Sequence, residues 1–182
     1  NDAVRGDICD YYFEVQKFDD EVGEILNTLK QSGHWDNTVI VICSDNGWQM
    51  PRGLANLYDA GSHIPMIFSW TNNIPQNKTL EEFISLNDLA PTFLELAGVE
   101  IPYEMTATSL TDILVDDPSE STRVRNSVVM ARERHALCRQ NGLGYPARAL
   151  RTKDFLYIKN SEPTRWPGGD PPLFGDVDAH ML

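Results

Sequence analysis

The chain has 182 residues, of which 41% are hydrophobic and 23% are charged, and its formal net charge at pH 7 is −12. This composition is typical of a globular protein, and no apolar run approaches the roughly 18 residues that a membrane helix needs, so we expect no membrane partner. The acidic balance also argues against nucleic acid as a partner, because phosphate contacts need a basic face. Three cysteines, Cys9, Cys43 and Cys138, show neither zinc-binding nor redox spacing and are expected to be free thiols.

The first half of the chain predicts helices that alternate with buried strands. Apolar residues recur every three or four positions over residues 7–31, which indicates an amphipathic helix that ends near Gly33. The apolar runs at residues 38–43 and 64–70 are typical of strands buried on both faces of a parallel sheet. This succession predicts an α/β fold.

The segment around residues 83–98 predicts a short strand followed by a helix. Phe83 and Ile84 are the strand candidates. The helix DLAPTFLELAG follows, with Asn87 as its N-cap and Pro91 in its first turn. Gly98 is the expected terminator of this helix.

From about residue 103 the pattern changes to short elements. SLTDILVDD, at residues 109–117, predicts one short helix, and a polar connector follows it. Residues 128–133, 147–152 and 155–160 predict a small antiparallel sheet whose last two strands are joined by a tight turn at Lys153–Asp154. We therefore predict two domains, an α/β part at residues 1–102 and an antiparallel subdomain at residues 103–182.

Polar side chains follow the strand predicted at residues 38–43. Asp45 and Asn46 offer a carboxylate and an amide oxygen where ligands of open α/β sheets bind, and Gly47 lets the backbone turn away. Hard cations such as Ca²⁺ take these oxygen donors. Asp-Asn-Gly is also a favoured turn sequence, so spacing alone leaves both a metal site and a simple turn open.

Three segments in order carry a family resemblance: VIVICSDNG, then PRGLANLYDAGSHIPMIF, then ISLNDLAPTFLELAGV. Together with ARALRTKDFLYIKN they resemble the C-terminal half of a sulfatase of the alkaline-phosphatase-like superfamily. The details are most similar to bacterial arylsulfatases and to the heparan N-sulfatase (sulfamidase) branch. The resemblance implies the rear part of an α/β/α sandwich at residues 1–102, followed by a small antiparallel C-terminal sheet.

The resemblance also implies a chemistry. Sulfatases hydrolyse sulfate esters or sulfamates with a formylglycine made in a Cys/Ser-x-Pro/Ala-x-Arg motif and with Ca²⁺ as an anion clamp. Asp45 and Asn46 match two of the metal ligands. We expect none of the three cysteines and none of the serines to lie in the formylglycine motif, and the early pair of acidic ligands has no counterpart. Because the chain begins at Asn1 and not at Met, we expect these parts to precede it and expect the 182 residues alone to be inactive.

Substrate binding is predicted at two positions, both of which also suit an ordinary surface role. In the sulfatases that this chain resembles, the loop that carries Arg52 usually has a lysine at the position of Leu54. A leucine cannot donate a hydrogen bond to a sulfate oxygen, so Arg52 is the candidate anion ligand. His135 follows a predicted strand in a region that lines the substrate pocket of relatives, and histidine can act as an acid near neutral pH.

Two other functions remain open. Phosphodiesterases and phosphomutases of the same superfamily usually have His after the strand-end Asp, so Asn46 favours a sulfatase. Leu54 supports a non-catalytic relative that binds an anion or a protein partner.

For a sulfatase, the resemblance implies a sulfated small molecule or glycan as substrate and a periplasmic or secreted location. Apolar surface left uncovered on the core would favour self-association.

Overall fold

The computed structural model describes residues 2–50, 52–115 and 125–176. Its helices are α1 (Asp2–Gln31), α2 (Asp59–Ser62), α3 (Leu89–Leu96) and α4 (Thr111–Leu114), and its strands are β1 (Ile40–Cys43), β2 (Met66–Ser69), β3 (Ser127–Arg132), β4 (Ala147–Thr152) and β5 (Leu156–Asn160). Short 3₁₀ turns lie at Trp35–Asn37, Leu86–Asp88 and Gln140–Gly142. Among these helices, none is long and apolar enough to cross a membrane. The end of the helix predicted at 109–117 and most of the connector after it lie outside the described residues.

The chain divides into two compact units. Unit 1 comprises Asn1–Val41 and Phe68–Ile74, and unit 2 comprises Ile42–Ile67 and Pro75–Leu182. The domain boundary predicted at residues 102–103 lies inside unit 2 and stays a prediction.

Helix α1 confirms the predicted amphipathic helix and begins five residues earlier. It ends at Gln31, two residues before Gly33, whose φ of +77° is favourable only for glycine. No residue of α1 is buried, and Phe18 and Ile25 on its apolar stripe are 51% and 66% exposed. The apolar stripe therefore has the residue pattern of a helix that faces a core, but its side chains are exposed.

Strands β1 and β2 confirm the two predicted strands and pair with each other in a two-stranded sheet. The prediction that both faces are buried is wrong, because every residue of β1 is half-buried and β2 alternates between half-buried and exposed. A continuous apolar run indicates that both faces of a strand are apolar, but the burial of each face also depends on which elements pack against it.

Helix α3 is held by a polar network at its start. Ser85 caps the preceding 3₁₀ turn and completes a capping box with Asp88. The N-cap of α3 itself is Asp88, so the predicted cap at Asn87 is wrong by one residue. Phe83 and Ile84 form no strand and lead directly into this cap. The hydroxyl of buried Thr92 donates to the Asp88 carbonyl oxygen at 2.6 Å and accepts from the N–H of Leu110 at 2.8 Å.

The C-terminal sheet confirms the predicted antiparallel arrangement, with the order β3-β4-β5. Arg132 is opposite Ala147 across β3 and β4, and Ala147 is opposite Asn160 across β4 and β5. Ala147 and Ala149 are buried on one face of β4, while Arg148 between them is exposed. This alternation is the period-2 pattern of a strand with one covered face.

Candidate functional site

The loop after β1 is built by close backbone approach at Gly47, Gly53 and Gly61. Gly47 donates its N–H to the carbonyl oxygen of Gly61 at 2.9 Å. A Cβ at Gly47 would lie 1.9 Å from the Ala60 carbonyl oxygen, and one at Gly61 would lie 2.3 Å from the Gly53 carbonyl oxygen. No other residue type fits these contacts, so the sequence between β1 and β2 is locked into one compact loop.

Asp45 and Asn46 lie at the start of this loop. Asp45 is exposed and accepts a hydrogen bond of 2.8 Å from the Asn46 amide, and Ser44 donates its hydroxyl to the Asn46 carbonyl oxygen at 2.6 Å. Within residues 2–50, 52–115 and 125–176, no group of three or more His, Cys, Asp or Glu side chains is close enough to hold a metal. The oxygen donors suit Ca²⁺, but they are two of the six to eight that this ion takes.

A wide cleft of about 1900 Å³ lies in unit 2 beside this loop. Asp45 lines it, together with α2 and the β4–β5 turn. Arg151 and Arg125 also line the cleft, and each is paired with a carboxylate, Asp59 and Asp88 respectively. The positive charge of these two arginines is therefore already offset inside the protein.

Of the four predicted site residues, Asp45 lines this cleft, whereas Asn46, Arg52 and His135 do not. Arg52 is exposed, has a left-handed φ of +65°, and places its guanidinium carbon 5.6 Å from the centre of the Tyr58 ring. Leu54 donates its N–H to the carbonyl oxygen of Trp48 at 2.9 Å and is half-buried. The anion-binding role of Arg52 stays a prediction.

His135 belongs to a cluster around the buried carboxylate of Asp176. Its Nδ1 lies 3.9 Å from Oδ1 of Asp176, and the imidazole is partly exposed. Oδ2 of Asp176 accepts from Arg132 and, at 2.5 Å, from Nη1 of Arg139, which is 1% exposed. Nη2 of Arg139 donates to the Trp166 carbonyl oxygen at 2.8 Å. Asp176 thus anchors the Pro- and Gly-rich tail beneath the loop that carries His135.

The sequence offered little sign of this cluster. Asp176 stands alone in the tail, and its partners are 37 and 44 residues away along the chain. Burial raises the pKa of the neighbouring Cys138 thiol, and the charge of Asp176 adds to this effect while Arg139 opposes it. Cys138 is therefore a poorly ionised thiol in this structure, as a structural cysteine is expected to be.

The expectation that no serine has the spacing of the nucleophile motif is wrong for one short segment. Ser161-Glu162-Pro163-Thr164-Arg165 reads Ser-x-Pro-x-Arg. Ser161 directly follows β5 and donates its N–H to the Pro146 carbonyl oxygen at 3.0 Å, and Arg165 donates to the Gly144 carbonyl oxygen at 2.7 Å. These five residues do not line the cleft that contains Asp45. A search of the serines for this spacing would have found the segment.

A charged contact joins the loop to the C-terminal sheet within unit 2. Nε and Nη2 of Arg151, on β4, donate to the two carboxylate oxygens of Asp59 at 2.8 and 3.1 Å. Asp59 is the first residue of α2, and Arg151 is the fifth residue of β4.

Solved structures share this arrangement of elements. A protein solved in complex with its substrate D-glucosamine-2-N,6-O-disulfate matches with a TM-score of 0.63 at 24% sequence identity, over 82% of this chain and 33% of that one. A 2-O GAG sulfatase matches with a TM-score of 0.67 at 25% identity, over 79% of this chain and 31% of that one, and the predicted sulfatase fold is confirmed.

The sulfatase family model matches residues 3–99, more than half of the chain, and the chain belongs to the sulfatase family. It is 28% identical over 162 residues to an ulvan-active sulfatase of Formosa agariphila, covering 89% of this chain and 25% of that protein. It is 27% identical over 168 residues to human N-sulphoglucosamine sulphohydrolase, covering 87% of this chain and 32% of that protein. The chain thus spans about a quarter to a third of the length of these relatives.

Proposed function

We propose that this chain is the C-terminal portion of a sulfatase that hydrolyses sulfate esters or sulfamates of a sugar. The observation that carries the proposal is the match of residues 3–99 to the sulfatase family model, a range that includes the strand-end loop of Asp45 and Asn46. The relatives named above, which include an ulvan-active sulfatase and an N-sulphoglucosamine sulphohydrolase, support a sulfated glycan as the substrate class. A periplasmic or secreted location is part of the same proposal.

Asp45 and Asn46 would supply two oxygen ligands to Ca²⁺, completed by acidic residues from elsewhere in the whole protein. When bound, Ca²⁺ would neutralise sulfate oxygens and stabilise the charge that develops on them. The exposed carboxylate of Asp45 is available to a cation, and the hydrogen bond from Asn46 orients it. Arg52, steadied against Tyr58, and His135 would contact the anion or the sugar.

The nucleophile is proposed to come from outside this chain. Ser161 has the motif spacing, but its segment follows β5 and does not line the cleft beside Asp45. The 182 residues alone are therefore expected to release no sulfate. Converted Ser161, found by mass spectrometry of the protein expressed with a formylglycine-generating enzyme, would contradict this assignment.

The first test is to read the coding DNA upstream of the Asn1 codon. An in-frame Cys/Ser-x-Pro/Ala-x-Arg motif with an early pair of aspartates would support the proposal. The whole protein would then be assayed for sulfate release from glucosamine N-sulfate and 6-sulfate, with a phosphodiester as the alternative substrate. We expect Asp45→Ala to abolish sulfate release. Asp36 is an exposed carboxylate on the Trp35–Asn37 turn, and the control variant Asp36→Asn should leave sulfate release unchanged.

Two results would overturn the proposal. Faster cleavage of the phosphodiester than of either sulfated sugar would favour a phosphodiesterase. An unrelated sequence upstream of Asn1 would favour a non-catalytic relative, for which Leu54 is the supporting observation. Calorimetry of the 182-residue chain should show weak Ca²⁺ binding, because two ligands are too few for a tight site, and a submicromolar affinity would contradict that expectation.

A further inference from the structure

We propose that the ion pair between Arg151 and Asp59 is a latch through which the C-terminal sheet positions the Asp45–Asn46 loop. Arg151 is then a positioning residue for the metal-binding end of β1. This inference relies on the proposed function only where it assigns a metal to that loop.

The contact has the geometry of a strong carboxylate–arginine pair. Two parallel hydrogen bonds, Nε to Oδ1 at 2.8 Å and Nη2 to Oδ2 at 3.1 Å, fix the planes of both groups. The remaining terminal nitrogen, Nη1, faces the β4–β5 turn and donates to the carbonyl oxygens of Thr152, Lys153 (3.2 Å) and Phe155 (3.5 Å). Arg151 therefore holds its own turn and α2 at the same time.

The contact leads to the predicted ligands through two short steps. Asp59 begins α2, and Gly61 in the same helix accepts the hydrogen bond from the Gly47 N–H at 2.9 Å. Gly47 is covalently next to Asn46. Because a Cβ at Gly47 would lie 1.9 Å from the Ala60 carbonyl oxygen, α2 cannot shift without moving the backbone that carries Asn46.

Surface ion pairs usually contribute little, because ordering two long side chains offsets their attraction. This pair differs in that the Arg151 guanidinium is already ordered by the turn carbonyls. The hydrogen bond to Asp59 raises the pKa of Arg151, in agreement with a mutual stabilisation of the two charges. The latch can therefore hold the Asp45–Asn46 loop in position even though both side chains contact solvent.

The test compares Arg151→Met with Arg148→Met by amide hydrogen exchange. Arg148 is on the same strand and is a matched control, because it pairs with exposed Glu133 and donates its other hydrogen bonds to the carbonyl oxygens of Arg132 and Ala147, outside α2. We expect the Gly47 amide to exchange about three- to fivefold faster in Arg151→Met and at the wild-type rate in Arg148→Met. Unchanged exchange of the β3–β4 amides would show that each variant is folded. Equal Gly47 rates in Arg151→Met and wild type would overturn the latch.

A conservative variant and a double variant separate positioning from general stability. Arg151→Lys keeps the charge but loses the paired hydrogen bonds, so it should give an intermediate Gly47 rate. Adding Asp59→Asn to Arg151→Met should give no further increase, because one contact is removed in both cases. An additive increase would mean that the two residues act separately and would overturn the latch.

Titration with CaCl₂, followed by the Asp45–Gly47 amide resonances, distinguishes this inference from the proposed function. If the latch positions the ligands, Arg151→Met should bind Ca²⁺ about three- to fivefold more weakly than wild type and Arg148→Met. Faster Gly47 exchange with no Ca²⁺ response in any variant would support the latch and contradict the weak Ca²⁺ binding expected of the Asp45–Asn46 loop in this chain. Equal Ca²⁺ affinity in wild type and Arg151→Met would contradict the positioning role.

Discussion

Arg125 donates to both carboxylate oxygens of Asp88, with Nη2 3.0 Å from Oδ1 and Nη1 bonded to Oδ2. Burial acts to raise the pKa of Asp88, but the hydrogen bonds from Arg125 and from the N–H groups of Ser85 and Thr108 outweigh it and hold that pKa below its ordinary value. A lowered carboxyl pKa stabilises the fold above the unfolded-state pKa of about 4, and the stabilisation is lost as the pH falls through the folded-state pKa.

Asp88→Asn should therefore destabilise the protein at neutral pH and much less in acid. We expect the free energy of unfolding at pH 7 to fall by about 2–3 kcal/mol, since Arg125 loses its charged partner. The difference from wild type should shrink below about pH 4. Urea unfolding followed by circular dichroism measures it. Glu95→Gln, on the exposed side of α3, is the control and should behave like wild type at every pH. If Asp88→Asn lowered the free energy of unfolding equally at every pH, the lowered pKa of Asp88 would be contradicted.

Gly47→Ala tests the close packing of the strand-end loop. The new Cβ would meet the Ala60 carbonyl oxygen at 1.9 Å and the Gly61 Cα at 2.6 Å, so the backbone must move. We expect a loss of about 1–3 kcal/mol in unfolding free energy and loss of protection at the Gly47 amide. Gly23→Ala in α1 is the matched control. No atom lies within 4 Å of its added Cβ, so it should be neutral or stabilise by about 0.5–1 kcal/mol.

The sequence predicts local elements well because their signals are local. The period-3.6 stripe of α1 and the terminating Gly33 and Gly98 each depend on neighbouring residues, and the structure confirms them. The predicted cap of α3 was wrong by one residue because a 3₁₀ turn capped by Ser85 takes up Leu86–Asp88, and α3 starts only after Asp88.

The candidate site was only partly predictable. Asp45, Asn46 and Gly47 are contiguous and follow a strand, so their placement could be read from the sequence. The pairs Arg151–Asp59 and Arg139–Asp176 join residues 92 and 37 positions apart, and nothing in a single sequence indicates such a pairing. The roles of His135 and Arg52 depend on a ligand and stay predictions.

Cys138 should react slowly with thiol reagents in the folded protein. Burial and the charge of Asp176 raise its pKa, so less thiolate is present at a given pH, whereas Cys9 is exposed on α1. Labelling with iodoacetamide at pH 8, followed by peptide mass spectrometry, should modify Cys9 first. The labelling rate at Cys138 should still be rising above the usual cysteine pKa of about 8.5. Labelling in urea is the control and should equalise the two sites. Equal labelling rates at Cys9 and Cys138 in the native protein would contradict the raised pKa of Cys138.

The exposed apolar stripe of α1 leads to a prediction of self-association by the 182-residue chain. Phe18 and Ile25 are seven residues apart, on one side of the helix, and are more than half exposed. Large exposed apolar side chains in a row favour contact with another apolar surface, and a second copy of the chain offers one. Light scattering should therefore give a mass above 20.5 kDa that rises with concentration. The double variant Phe18→Glu, Ile25→Glu should return the mass to that of the monomer, since it places charge in the contact. Asp20→Lys, on the opposite side of α1, should associate as wild type does. A wild-type chain that stays monomeric across a wide range of concentration would show that the stripe is not a contact surface.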